Sequence, residues 1–206
     1  ITCGKQNQAG NNYTATITLD SNYKWNDGDT SRTATVIWSI NKAKAEIVVD
    51  TTTITKVFGQ TVTLPTATTK FGTVECDTVA SSLVNKGTYT VTYTVAGTDN
   101  YDGDAETVTV EIKQAENEVK LSSNKSSWTY GDTISYYVSY AKFGKDKAII
   151  EYSMDGGSTW SSTAPKDAKV GYKVKVTIPG TENYTKAEKI YTFDIGKAIP
   201  EIKVKD

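Results

Sequence analysis

The sequence predicts an all-β protein built of tandem β-sandwich repeats. Three observations predict it. The stretch Gly87–Ile112 alternates strictly: Tyr89, Val91, Tyr93 and Val95 fall on one face, threonines on the other, and Val108, Val110 and Ile112 repeat the pattern after a turn. Such period-two alternation of aromatic and β-branched residues marks half-buried strands. The same stretch occurs three times, with Asn-Tyr pairs at Asn22-Tyr23, Asn100-Tyr101 and Asn183-Tyr184. The composition agrees: threonine is abundant, there are 13 tyrosines and one methionine, and no segment keeps a 3.6-residue apolar spacing over three turns. That profile belongs to strands rather than helices.

Ahead of the Asn-Tyr pairs stand Tyr13, Tyr89 and Tyr172. Behind them come closing strands ending at Ile40-Asn-Lys-Ala43, Ile112-Lys-Gln-Ala115 and Ile195-Gly-Lys-Ala198. Upstream, Phe58-Gly59 matches Tyr130-Gly131 and Phe71-Gly72 matches Phe143-Gly144, each pair 72 residues apart. The spacing divides the chain into the back half of a repeat (1–43), a complete repeat (44–115), a second complete repeat with an eleven-residue excess between Gly144 and Gly171 (116–198), and the opening strand of another (199–206). Fixed internal periods of this kind define an array.

In order, residues 1–43 should supply strands at Tyr13–Leu19 and Thr33–Ile40, with Trp25-Asn-Asp-Gly-Asp29 as a longer hairpin end. A two-stranded piece is marginal in water, so it should lean on the next repeat or borrow strands. The first complete repeat should carry strands near Glu46–Val49, Gln60–Leu64, Thr73–Asp77, Gly87–Ala96 and Glu106–Lys113, punctuated by Pro65 and Gly72. The second should carry Glu118–Ser122, Thr133–Tyr140, Ala148–Ser153, Tyr172–Pro179 and Glu188–Ile195. The junctions Lys42-Ala-Lys-Ala45 and Gln114-Ala-Glu-Asn117 hold no Pro/Gly/Ser linker, which predicts a semi-rigid, elongated array. Ala198-Ile-Pro-Glu-Ile202 echoes Ala43-Lys-Ala-Glu-Ile47, so its strand could complement the incomplete N-terminal piece of another copy, head to tail. A monomer is the first expectation. Ile1 is not a natural start, so the chain reads as a mature or excised fragment.

Absent residue types exclude much chemistry. With no histidine, Ser-His and Cys-His nucleophile pairs and the usual zinc sites drop out. A net charge of −1 and a single arginine, Arg32, give no nucleic-acid footprint. No run is long and apolar enough for a membrane-inserting helix. No cofactor motif is present, so none is expected. The carboxylates sit in turns and on polar strand faces, which argues against a paired-carboxylate enzyme.

Gly87–Tyr101, Gly171–Tyr184, Trp25–Asp29 and Val36-Ile-Trp-Ser-Ile40 together resemble tandem bacterial immunoglobulin-like repeats of large secreted or wall-attached surface proteins, mainly of Gram-positive bacteria. The likeness spans essentially the whole chain. It implies immunoglobulin-like β-sandwiches and an extracellular, cell-surface or secreted place in an adhesin, stalk or appended region of a surface enzyme. It transfers no catalytic residue. Ser153-Met-Asp155-Gly-Gly157-Ser-Thr159-Trp160 is also similar to the Asp-box hairpin of sialidases. That enzyme needs an arginine cluster and several hairpins, so here Ser153, Asp155, Gly157, Thr159 and Trp160 are read as a structural turn.

Two ligand sites remain as candidates. Trp25, Trp128 and Trp160 could stack on sugar rings if exposed. Asp99, Asp102, Asp104 and Glu106 could hold calcium, although a solvated turn is the leading reading. Cys3 and Cys76 occupy similar places in neighbouring repeats and should be free, core-facing thiols. Asn12, Asn124 and Asn183 fit the N-glycosylation pattern, which a bacterial setting makes coincidental. No pattern for Lys–Asn or Lys–Asp isopeptide bonds stands out. The function expected is a non-catalytic stalk or adhesive segment. A carbohydrate-binding module comes second and an accessory region of a secreted glycoside hydrolase last. The partners to expect are host or plant glycans or surface proteins.

Overall fold

The structure, a computed structural model, describes residues 4–202. It is all-β. Sixteen strands run in order: β1 (Gly10–Thr18), β2 (Thr33–Ile40), β3 (Ala43–Lys44), β4 (Ile47–Val49), β5 (Thr53–Val57), β6 (Ala67–Thr69), β7 (Glu75–Cys76), β8 (Gly87–Val95), β9 (Tyr101–Asp102), β10 (Asp104–Lys113), β11 (Val119–Ser123), β12 (Trp128–Thr129), β13 (Tyr136–Ala141), β14 (Ile149–Ser153), β15 (Lys169–Ile178) and β16 (Ala187–Gly196). Two single 3-10 turns, Ala80–Ser82 and Lys145–Lys147, are the helical residues among those described.

The chain divides into two compact units. The first comprises the chain up to Ile54 with Val62–Leu83 and Thr88–Glu111; the second comprises Thr55–Thr61, Val84–Gly87 and everything from Ile112 onward. In the second unit, a four-stranded sheet ordered β12-β16-β15-β14 accompanies the antiparallel pair β11-β13. Val119, Leu121 and Val138 from the pair share one hydrophobic cluster with Tyr152, Tyr172, Val174, Val176, Ile178, Phe193 and Ile195 from the larger sheet. This arrangement is β-sandwich-like, with alternate residues of each strand turned inward. Val174, Val176 and Ile178 are at most 1% exposed, while Lys173, Lys175 and Thr177 between them keep contact with solvent.

The first unit contains the antiparallel pairs β1-β2 and β4-β6 and most of the sheet β5-β10-β8-β7. Ile47, Val91, Tyr93, Val95, Val108 and Val110 are its buried side chains on these strands. The ribbon β1-β2 is different. Tyr13, Ala15, Ile17, Ala34, Trp38 and Ile40 make a half-buried stripe, and no residue of either strand is fully buried. The rings of Tyr13 and Trp38 sit 5.0 Å apart across the ribbon. β1 and β15 share a bulge: Gly10 and Lys169 pair with Ile40 and Ile195, and Tyr13 and Tyr172 pair with Trp38 and Phe193. The residue before each tyrosine, Asn12 or Gly171, takes positive φ (63° and 81°), which asparagine and glycine accept most readily.

Several sequence expectations are corrected. The strand expected at Gln60–Leu64 lies instead at Thr53–Val57. Gly59 turns the chain at φ 87°, and the Gln60 side chain accepts the Val57 N–H, closing β5 before residue 60. Val62 is buried without joining a ladder. Trp128–Thr129 was not anticipated as a strand, yet it pairs in parallel with Ile195–Gly196. Cys76 is exposed rather than core-facing, because β7 is a short strand at the end of the sheet order and both its residues point to solvent. Cys3 lies outside the described residues, as does the end of the strand expected at 199–206. Residues 199–202 carry no strand.

Two outcomes are expected. Ile178→Ala, which empties the middle of the second unit's core, should cost roughly 2–5 kcal/mol in denaturant unfolding. Cys76 should react stoichiometrically with a thiol reagent in native buffer, and protection until denaturation would contradict its exposure.

Candidate functional site

The Asp155 hairpin assembles as its sequence suggests. β14 ends at Ser153, which is 1% exposed. Its hydroxyl donates to Asp155 Oδ1 (2.7 Å) and accepts the Gly157 N–H (2.8 Å). Asp155 Oδ1 also accepts the N–H groups of Ser158 (3.0 Å) and Thr159 (2.9 Å), and Oδ2 accepts the Thr159 hydroxyl (2.7 Å). Gly157, at φ 105°, makes the turn with no side chain to obstruct it. Four donors converge on one carboxylate. The Thr159 N–H, the Thr159 hydroxyl and the Ser153 hydroxyl hold its pKa well below the usual aspartate range. Beyond the turn, Tyr152 and Ser161 exchange backbone hydrogen bonds of 2.7 and 2.9 Å.

The three candidate tryptophans differ in placement. Trp160 is half-buried. Its ring lies beside Gly157, and the Lys175 ammonium sits 4.3 Å from the ring centroid. Lys175 is itself paired with Glu151 at 2.8 Å, so one face of the indole is taken by a fixed cation. Trp128 belongs to the core, not the surface. It is 5% exposed, donates its indole N–H to the Tyr136 hydroxyl (3.3 Å) and offers no ring face to a sugar. Burial arises because β12 lies along β16 and turns Trp128 onto Tyr136. Trp25 is half-buried in the β1-β2 connection, with its indole nitrogen buried and lacking a hydrogen-bond partner among the described residues.

The carboxylates of the acidic turn do not come together in the structure. Among the described residues, no group of three or more acid or thiol side chains converges as metal ligands would. Asp104 instead accepts the backbone N–H groups of Ile47 (2.7 Å) and Ala105 (3.0 Å), while Asp99, Asp102 and Glu106 are exposed.

Sequence reasoning saw the Asn-Tyr pairs as markers of register but missed their work. In the first unit, Asn100 Oδ1 accepts the N–H of Ala9 (2.8 Å), and its backbone carbonyl accepts the N–H of Ala43 (3.0 Å). In the second unit, Asn183 Oδ1 accepts the N–H of Lys86 (2.8 Å), and its carbonyl accepts the N–H of Ala115 (2.9 Å). Lys42 donates to the Thr98 carbonyl and Gln114 to the Thr181 carbonyl. Each tyrosine stacks on an aromatic ring: Tyr101 on Phe71 at 5.1 Å, Tyr184 on Phe143 at 4.6 Å. Tyr184 also meets Phe58 edge-on at 5.4 Å. Gly97 and Gly180 precede the two turns because a Cβ would come within 3.1 Å of Gly103 N or 3.0 Å of Lys186 N. The signal in the sequence was the recurrence of Gly-Thr-x-Asn-Tyr at 97–101 and 180–184.

The sequence matches no model of a known protein family, and no curated protein matches it significantly. No helix among the described residues is long and apolar enough to cross a membrane.

The hairpin generates a pH prediction. The carboxyl of Asp155 titrates below the ordinary value of 3.8, so its stabilisation is complete above that pH and fades as pH falls through the folded value. Asp155→Asn should lower the melting temperature at pH 7, and the gap to wild type should narrow steadily below pH 3.8. A gap independent of pH would mean that the charge contributes nothing.

Proposed function

We propose that the chain is a structural segment of a bacterial surface or secreted protein, a series of immunoglobulin-like β-sandwich repeats that holds other domains at a distance. The observation that carries this reading is the twofold use of one joint. The residue before a long strand (Ala9 or Lys86) and the alanine after a closing strand (Ala43 or Ala115) both bond to the next Asn-Tyr turn. In each joint two backbone N–H groups find acceptors, a long side chain reaches the turn's threonine carbonyl, and a tyrosine is seated by stacking. Joints of this kind resist bending, because rotation would break these hydrogen bonds, each worth about 0.5–1.5 kcal/mol. The resemblance to immunoglobulin-like surface repeats and the linker-free junctions support the same reading. The extracellular location rests on the resemblance.

Solution scattering and calorimetry test it. Wild type should scatter as an elongated particle with a narrow range of end-to-end distances. The double variant Asn100→Ala/Asn183→Ala should keep its strand content, lose about 1–2 kcal/mol per joint and scatter with a broader distance distribution. A globular scattering profile for wild type would overturn the stalk. Glycan-array binding at micromolar concentration would move a ligand-binding role ahead of it.

A further inference from the structure

The second complete repeat is entered and left at opposite ends of one strand. At the entry, the Ala115 N–H donates to the Asn183 carbonyl (2.9 Å) and the Ala115 carbonyl accepts the Thr185 N–H (3.0 Å), just ahead of β16. At the exit, Trp128 and Thr129 pair with Ile195 and Gly196, the last residues of β16, and the Tyr130 N–H donates to the Gly196 carbonyl (2.8 Å). Between the two, the Leu121 N–H reaches the Tyr191 hydroxyl (3.2 Å). Ala115 on Tyr184, Leu121 on Tyr191 and Trp128 on Ile195 follow in rising order, so the opening segment 115–130 runs alongside β16 in its own direction. The ten residues of β16 span about 33 Å.

Parallel neighbours respond to tension differently from hairpin partners. A pull on the chain drags the opening segment back toward Ala115 and drives β16 onward past Gly196. The hydrogen bonds between them run from strand to strand, across that pull, so sliding strains all of them together. In a hairpin such as β15-β16, a pull on the two free ends would open the bonds one after another. β11 is loaded in the same sense as β12, through its five residue pairs with β13. The first complete repeat has the same design: the Thr52 carbonyl accepts the Thr109 N–H (2.9 Å), the Phe58 N–H donates to the Lys113 carbonyl (2.8 Å), and β5 lies beside β10.

We propose that the pairing of the opening segment with the closing strand is a clamp that carries tension, so that each complete repeat is a load-bearing link as well as a spacer. Rupture of the second repeat begins when β12 slides off β16, with the core behind β15 still packed. Trp128 seats the clamp. It is 5% exposed and donates its indole N–H to the Tyr136 hydroxyl, so β12 cannot slip along β16 without drawing a large side chain out of the core. This role rests on the stalk reading and adds to it the direction of the load.

Constant-force measurements on the whole chain, held by its two ends between handle domains, test the clamp. Both complete repeats should lengthen in single steps. The second is recognised by its longer release, eleven residues more than the first, or about 36–40 Å. Tyr130→Pro removes the N–H that Gly196 accepts and suits the turn there, since the Asp132 N–H bonds the Thr129 carbonyl and Gly131 takes φ 94°, as in a type II turn. It should shorten the second repeat's lifetime under load about fivefold, a change of about 1 kcal/mol, and leave the first repeat's lifetime unchanged. Ile178→Ala should shorten it less, although it costs more in denaturant, because the barrier is passed before the core opens. A lifetime that Tyr130→Pro leaves unaltered overturns the clamp, and so does a ranking of the two variants that follows their denaturant stability. Wild type that extends gradually at low force overturns it too. The stalk reading would survive each of these results, because it falls only with a globular scattering profile.

Discussion

The N–H group just before a long strand has no ladder partner, and a partner supplied by the chain contributes about 0.5–1.5 kcal/mol there. Asn100 and Asn183 answer this constraint from far along the chain, on Ala9 and Lys86. Much of the repeat pattern follows from it. The asparagine must sit in a turn tight enough to aim its side chain back, so a threonine two residues earlier closes the turn and a glycine precedes it. The next residue is tyrosine because its ring can lie flat on Phe71 or Phe143 and anchor the turn from its own side. The alanines at 43 and 115 are small enough for the turn's backbone to pair beside them in parallel.

The fold was legible where the signal was local. Alternation located β8, β10, β15 and β16 to within a few residues, because each strand buries one face and leaves the other wet. It failed where a strand is held by position rather than pattern. β5 reads Thr-Ile-Thr-Lys-Val and buries none of its residues fully, so its periodicity is weak, whereas the more apolar Val62 and Leu64 attract attention and form no ladder. Trp128 has the composition of an exposed platform and the place of a core residue. What decides is the parallel pairing with β16, set by residues nearly seventy positions away.

The same division separates the sites. The Asp155 hairpin was readable because every donor to its carboxylate comes from within four residues. The acidic turn reads first as a solvated turn and only second as a calcium site, and its carboxylates, spread from Asp99 through β9 to Glu106 of β10, do not converge. Asp104 was drawn to the Ile47 N–H instead. For the Asn-Tyr turns the sequence held the recurrence but not the partner, since Asn100 reaches 91 residues back and Asn183 reaches 97.

The aromatic position before the glycine of each complete repeat meets two different surroundings. Phe58 is covered by Tyr184 within this chain, and a ring without a hydroxyl suits a contact that stays dry. At the same register Tyr130 is largely exposed, and tyrosine carries a polar tip that tolerates water yet keeps a ring for packing. The residue that reaches the turn's carbonyl varies as well. Lys42 donates to the Thr98 carbonyl and Gln114 to the Thr181 carbonyl, so a cation and a neutral amide serve the same contact, which the length of the side chain decides.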